Sequence, residues 1–158
     1  MYRALADAIR DAESQGKPLS QVALETEARD SGRSVEEIRA VLRRALEVMK
    51  GAIVQGMTGE LRSSSGLVGG DAAKLRTGPD GPLAGTPFRD ILARALAVQE
   101  VNAAMGVIVA APTAGGAGVL PAVLTGLAAA RGIDDDRLVP WPARRSATSS
   151  PARWPSRR

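Results

Sequence analysis

Apolar residues recur every three or four positions through most of the first 55 residues, which is the spacing of an amphipathic helix. The pattern predicts one helix over residues 2–15 and a second that starts with Ser20 as its N-cap and ends near Ala28. Helical spacing returns after residue 34, so the first third of the chain is predicted to be entirely helical.

The third predicted helix begins with a capping box, in which Ser34 is the N-cap and Glu37 lies three residues later. This helix is expected to end near Gly56. Its buried stripe is predicted to comprise Ile38, Val41, Leu42, Ala45, Met49 and Ile53. The charged residues that lie mainly off this stripe, Arg43, Arg44 and Glu47, are expected to face solvent.

Residues 56–87 lack a sustained period and are rich in Gly, Ser, Thr and Pro, with a possible helical turn at 71–75. A loop of this length in a compact domain is usually functional or disordered. Thr86 as N-cap and Pro87 at the first helical position then predict a helix that runs to about Ala104.

The segment from Met105 to Ala111 is apolar and is expected to be buried, as a strand or as a helix end. A Gly-rich turn leads from it into a predicted helix over residues 120–130, which Gly132 ends. Three acidic residues at 134–136 predict the start of another helix, but the pattern stops after Val139. The expected fold class is mainly α, with Gly-rich loops between the helices.

Composition agrees with a helical core, because 44% of the residues are hydrophobic but only 3% are aromatic. No stretch approaches the roughly 18 apolar residues of a membrane span, and the N-terminus lacks a secretory pattern. We therefore expect a cytoplasmic protein that does not bind membranes.

Residues 140–158 differ from the rest of the chain, since they hold both Trp residues, four Pro and five Arg without an acidic residue. We predict a folded segment over 1–139 and a disordered tail over 140–158. The net charge of +4 belongs to this tail, so the predicted fold is close to neutral and nucleic-acid binding is not expected. The abrupt change after Val139 is typical of an out-of-frame reading or an early stop.

The chain contains no Cys and no His. This excludes disulfides, thiolate metal sites and imidazole catalysis by the chain alone. A metal bound by this chain alone would need oxygen ligands.

Two Gly-rich segments are candidates for chemistry. Residues 62–71, RSSSGLVGGD, form either a mobile surface loop or a site where backbone N–H groups bind a carboxylate or phosphate. Residues 112–118, PTAGGAG, form either a tight connection or an anion site ahead of a helix. Asn102 is expected on the buried face of its helix, as a structural amide or as a residue that lines a site, and Lys74 is expected to be a surface lysine.

These segments together resemble the catalytic chain of bacterial iron–sulfur L-serine dehydratases. The resemblance rests on four segments in the same order: LEVMK at 46–50, GELRSSSGLVGGDA at 59–72, ARALAVQEVNAAMG at 93–106 and APTAG at 111–115. It extends over about residues 20–139. Each motif alone is weak, but four in register are specific.

The resemblance implies a mainly helical α chain that pairs with a separate β chain or with a second copy of itself. It also implies β-elimination of L-serine to pyruvate and ammonia, with a [4Fe–4S] cluster as Lewis acid. The implied substrate-binding residues are Ser65, Gly66, Leu67, Gly69, Gly70, Asp71, Asn102, Thr113, Ala114 and Gly115. The catalytic base is not identified.

The sequence departs from the family in its cluster ligands. Many members have a ligating Cys where this chain has Ala117, and their other cysteines lie in a later half that this chain lacks. Because clusters are held by thiolates, we expect the chain not to bind a cluster and to be inactive alone. The alternative is a cluster-free module that binds a small carboxylate or pairs with a β chain. Nonspecific binding of nucleic acid by the Arg-rich tail is a third and weaker reading.

Overall fold

The computed structural model describes residues 4–78, 81, 83–111 and 113–139, and this part of the chain is mainly α-helical, without a β-strand. The predicted fold class is therefore confirmed. The helices are α1 (Leu5–Gln15), α2 (Leu19–Ser31), α3 (Val35–Gly56), α4 (Asp71–Thr77), α5 (Pro87–Ala103), α6 (Val119–Arg131) and α7 (Asp135–Leu138). The tail predicted to be disordered, residues 140–158, lies outside the described residues.

Two of the predicted helix starts are confirmed by their hydrogen bonds. The Ser34 hydroxyl accepts from the Glu37 amide, and the Glu37 carboxylate accepts from the Ser34 amide, which completes the capping box of α3. Thr86 caps α5 by accepting from the Arg89 amide, with Pro87 at the first helical position. The local sequence was therefore sufficient to predict where α3 and α5 begin.

The predicted start of α2 is wrong. The carbonyl oxygen of Pro18 accepts from the amides of Gln21 and Val22 at 3.0 and 3.2 Å, so the first turn begins at Leu19. Ser20 lies inside that turn and is not the N-cap. Proline directly before the helix already has a fixed φ of −58°, so the chain enters the helix without a side-chain cap.

Helix α5 is the centre of the fold and packs against α3, α4 and α6. An apolar cluster of Ala52, Ile53, Val98, Val101 and Ala117 joins α3 and α5 to the turn before α6. At Gly56 the backbones of α3 and α5 approach so closely that a Cβ atom there would lie 2.1 Å from the Ala97 carbonyl oxygen.

The predicted buried stripe of α3 is only partly correct. Ile38, Met49 and Ile53 are buried, but Val41 and Leu42 are 55% and 38% exposed. The C-terminal half of α3 turns Leu46 and Ala52 towards the core instead. The three charged residues expected to face solvent, Arg43, Arg44 and Glu47, are exposed as predicted.

The prediction that Met105–Ala111 is buried is wrong. Met105 and Val107 are 88% and 74% exposed, and residues 106–110 have no regular secondary structure. Helix α5 ends at Ala103, and Met105 takes a left-handed φ of 61°, which turns the chain out of the helix. Only Ile108 packs against the apolar cluster.

None of the helices within the described residues is long and apolar enough to cross a membrane.

The capping box of α3 gives a direct test of local stabilisation. Replacing Ser34 with alanine should lower the free energy of unfolding by about 1 kcal/mol, because the Glu37 amide loses its acceptor. Ser20→Ala is the matched control and should be neutral or slightly stabilising, since Ser20 lies inside α2. Urea unfolding of both variants measures the difference, and equal losses would contradict the assigned N-caps.

The cap also predicts a pH dependence. Hydrogen bonds from the Ser34 amide, and then from its hydroxyl, lower the pKa of Glu37 below its ordinary value of 4.5. A lowered carboxyl pKa stabilises the fold above the unfolded-state pKa, and this stabilisation is lost as pH falls through the folded-state pKa. Alanine at position 34 keeps the amide and loses only the hydroxyl bond to the carboxylate. Only that part of the stability difference between wild type and Ser34→Ala should therefore shrink as pH falls below 4.5.

Candidate functional site

The segment between α3 and α4 contains a short, internally bonded loop, residues 62–70, which we call the serine loop. The Ser63 amide donates to the Val68 carbonyl at 2.8 Å, and the Gly66 amide donates to the Ser63 carbonyl at 2.8 Å. The Ser63 hydroxyl accepts from the Val68 amide at 3.1 Å and lies 3.1 Å from the Ser65 hydroxyl. The loop is therefore folded by its own serines.

The tip of the serine loop faces solvent. Ser64, Ser65 and Gly66 are exposed, and Leu67 is 87% exposed. Within the described residues, the amides of Ser64 and Ser65 have no acceptor. The tip thus presents hydroxyl groups and free N–H groups, which suit a small anion.

The end of the loop is packed tightly. Gly69 has a φ of 141°, and a Cβ atom at this position would lie 2.0 Å from the Leu61 carbonyl oxygen. Gly70 is buried with a φ of 84°, beside the guanidinium group of Arg62. Glycine is required at both positions because of the positive φ, and at Gly69 the Leu61 carbonyl also leaves no room for a side chain.

A buried carboxylate from α5 holds this end of the loop. Glu100 is only 3% exposed and accepts three backbone hydrogen bonds. The donors are the amides of Gly70 at 2.9 Å, Asp71 at 2.7 Å and Ala72 at 2.8 Å. Glu100 therefore caps the N-terminus of α4, where an acidic group also complements the helix dipole.

The opposite end of α4 is held by a basic residue of α5. Arg89 donates from Nε to the Leu75 carbonyl at 2.6 Å and from Nη2 to the Gly78 carbonyl at 2.5 Å. A positive group at a helix C-terminus is again the favourable sign. The seven residues of α4 thus run antiparallel to α5, with each end bonded to one charged side chain of α5.

The second Gly-rich segment, residues 113–118, is also bonded to the last turns of α5. Gln99 donates from Nε2 to the Gly115 carbonyl at 2.9 Å, and Asn102 donates from Nδ2 to the Ala114 carbonyl at 3.5 Å. The Thr113 hydroxyl accepts from the Gly116 amide at 3.2 Å. Thr113, Ala114 and Gly115 are exposed, so the turn is attached to α5 on one side and faces solvent on the other.

The prediction for Asn102 needs correction. Asn102 is half-buried, whereas the buried face of α5 comprises Ala93, Ala97, Val98, Glu100 and Val101. The buried polar residue of this helix is Glu100, which the sequence reasoning missed. Its signal was present, because Glu100 continues the i, i+4, i+7 spacing of Ala93 and Ala97 and so places an acid in an apolar stripe.

The other candidate residues are already hydrogen-bonded, ion-paired or buried. The amides of Gly70 and Asp71 donate to Glu100 and are not available to a ligand in this conformation. Lys74 is exposed and pairs with Asp71 at 3.3 Å, as expected of a surface lysine. Ala117 has no exposed surface and lies in the apolar cluster.

The residues present do not fit an iron–sulfur cluster. The sequence has no Cys to supply a thiolate and no His. The described residues also contain no group of three or more Asp or Glu side chains that could hold a metal ion. Any cluster would need ligands from outside this sequence.

Comparison with known proteins identifies the family. The family model described as "Serine dehydratase alpha chain" matches residues 14–141. The chain belongs to this family. Its match includes both Gly-rich segments and all of α5, so the three parts described above lie within the shared region.

Three curated relatives agree with this assignment. The chain is 38% identical over 128 residues to the "Probable L-serine dehydratase, alpha chain" of Bacillus subtilis and 33% identical over 112 residues to the "L-serine dehydratase, alpha chain" of Peptoniphilus asaccharolyticus. It is 36% identical over 128 residues to the "L-serine dehydratase" of Streptomyces coelicolor. These alignments include 70–78% of this chain but 42%, 38% and 27% of the respective relatives. No solved structure matches the chain significantly.

Proposed function

We propose that this chain forms the L-serine-binding part of a serine dehydratase and that the tip of the serine loop binds the substrate carboxylate. The observation that carries the proposal is the exposed tip, where Ser64 and Ser65 face solvent and their backbone amides have no acceptor among the described residues. Family membership supplies the substrate class, because the relatives are named for L-serine. Arg62 adds a positive charge beside the end of the loop.

The remaining predicted residues receive different roles in this proposal. Ser65, Gly66 and Leu67 would contact the substrate, whereas Gly69, Gly70 and Asp71 would fix the shape of the loop. Asn102 would hold the second Gly-rich turn, through which Thr113, Ala114 and Gly115 would reach the same ligand. The proposal is supported by one turn of α5 bonding to both segments.

The β-elimination itself would not be completed by this chain. It requires a base for the α-proton and an electrophile for the departing hydroxyl, and the family resemblance implies an iron–sulfur cluster for the latter. Since the chain lacks thiolates, it has no ligand of its own for such a cluster. Pairing with a β chain or with a second copy, and a cytoplasmic location, stay predictions from the sequence.

Titration of the isotopically labelled chain with L-serine tests the proposal. We expect saturable shifts of the amide signals of residues 64–67, with a dissociation constant on the order of 1 mM for so exposed a site. Ser65→Ala should weaken binding about tenfold, because Oγ pairs with Ser63 and accepts from the Leu67 amide.

Ser14→Ala is the control, since Ser14 is an exposed serine of α1 outside the serine loop. It should leave the titration unchanged. Acetate should cause weaker shifts of the same signals than L-serine does. Serine-induced shifts elsewhere in the chain, with none at residues 64–67, would refute the assignment of the loop.

A further inference from the structure

The Glu100 carboxylate has an unusual position for a charged group. It is almost fully buried, yet none of the Lys and Arg residues in the described part of the chain forms an ion pair with it. Burying a carboxylate without partners is very unfavourable. The three amides of residues 70–72 are therefore its compensation, and they come from a segment about 30 positions earlier in the chain.

The same bonds restrict where a substrate can bind. The amides of residues 70–72 would be the natural donors for an external carboxylate at the end of a Gly-rich loop. Glu100 already occupies all three, at 2.7–2.9 Å. An external carboxylate would have to displace a buried side chain of its own chemical class.

We infer that Glu100 is a positioning residue that takes the place of an anion at the end of the serine loop, so that the substrate carboxylate binds at the exposed tip. The predicted effect on L-serine binding rests on the proposed function. The predicted effect on the loop amides does not. Glu100 fixes Gly70. Residues 63–68, which include the tip, form hydrogen bonds only with one another among the described residues. The orientation of the tip therefore depends on Glu100.

Arg89 provides the comparison that separates positioning from simple stabilisation of α4. It bonds to the carbonyls of Leu75 and Gly78, at the end of α4 remote from the serine loop. If Glu100 only stabilised α4, loss of Arg89 would disturb the serine loop in the same way. If Glu100 positions the loop, only its own replacement affects the amides of residues 70–72.

Amide hydrogen exchange in the full chain measures the effect. Glu100→Gln keeps the size of the side chain but replaces one acceptor oxygen with an NH₂ donor. The remaining oxygen can still accept from Asp71 and Ala72, which share one oxygen of Glu100, so the bond from Gly70 is the one lost. We expect exchange at Gly70 to accelerate about 10- to 100-fold, while amides in α3 change little. Arg89→Ala should leave these three amides protected.

Chemical rescue provides a second readout. Glu100→Ala leaves a space for a small carboxylate next to the same amides, so added acetate should restore their protection and should not alter Arg89→Ala.

L-Serine binding at residues 64–67 should weaken at least tenfold in Glu100→Gln. Unchanged exchange in Glu100→Gln, or equal acceleration in Arg89→Ala, would overturn the inference. Absence of L-serine binding in the wild type would instead refute the proposed function. The exchange result would then still decide whether Glu100 positions the loop.

Discussion

Replacing Gly56 with alanine is expected to lower the free energy of unfolding by about 3 kcal/mol. A Cβ atom on Gly56 would lie 2.1 Å from the carbonyl oxygen of Ala97, far inside van der Waals contact. The Cβ atom is fixed by the backbone of α3 and the oxygen belongs to the backbone of α5, so the clash is removed only if the two helices move apart. That movement would also open the apolar cluster around Ile53 and Val98.

Gly51→Ala is the matched control because Gly51 lies in the same helix and a Cβ atom there meets nothing within 4 Å. It should stabilise the protein by about 0.5–1 kcal/mol, the usual advantage of alanine over glycine inside a helix. Urea unfolding at constant m-value compares the two variants. A Gly56→Ala midpoint equal to that of the wild type would show that α3 and α5 do not cross at this glycine.

The second large effect is expected at Gly69, where alanine should abolish the shape of the serine loop. Its Cβ atom would lie 2.0 Å from the Leu61 carbonyl oxygen, and its φ of 141° is unfavourable for any L-residue. The strain is on the order of 1–3 kcal/mol before the clash is counted. We expect the loop to rearrange and L-serine binding to fall at least tenfold, measured by the amide titration of residues 64–67.

Gly132→Ala separates strain from the clash, since Gly132 also has a positive φ of 61° but a Cβ atom there meets nothing within 4 Å. It should cost about 1 kcal/mol of stability and leave serine binding unchanged. If Gly69→Ala binds L-serine as tightly as Gly132→Ala does, the loop conformation is not required for binding, and the proposed substrate contacts are wrong.

Much of the fold could be predicted because its signals are local. The capping box at Ser34 and the Thr86-Pro87 pair satisfy helix N–H groups within one turn, so neighbouring residues decide where α3 and α5 begin. The prediction of Ser20 as N-cap is wrong because Pro18 starts α2 without a side-chain cap. The order of the Gly-rich motifs was likewise enough to indicate the family, which the matched region confirms.

The candidate site was predictable only in part. Sequence located the serine loop because serines and glycines favour tight backbone turns. It did not reveal Glu100, since the three amides that compensate this carboxylate lie 28–30 residues away and no local pattern records that distance. It also placed Asn102 on the buried face, although Asn102 is half-buried and Glu100 is the buried polar residue of α5.

The helical class, the helix ends with local caps, the family and the lack of thiolates for a cluster follow from the amino-acid sequence alone. Tertiary structure decided which side of each helix is buried: Val41 and Leu42 are apolar but exposed, and Met105 and Val107 lie outside the core. It also decided which amides a ligand can reach. The physical reason is the same in both cases, because burial and hydrogen-bond satisfaction depend on what another segment of the chain brings into contact.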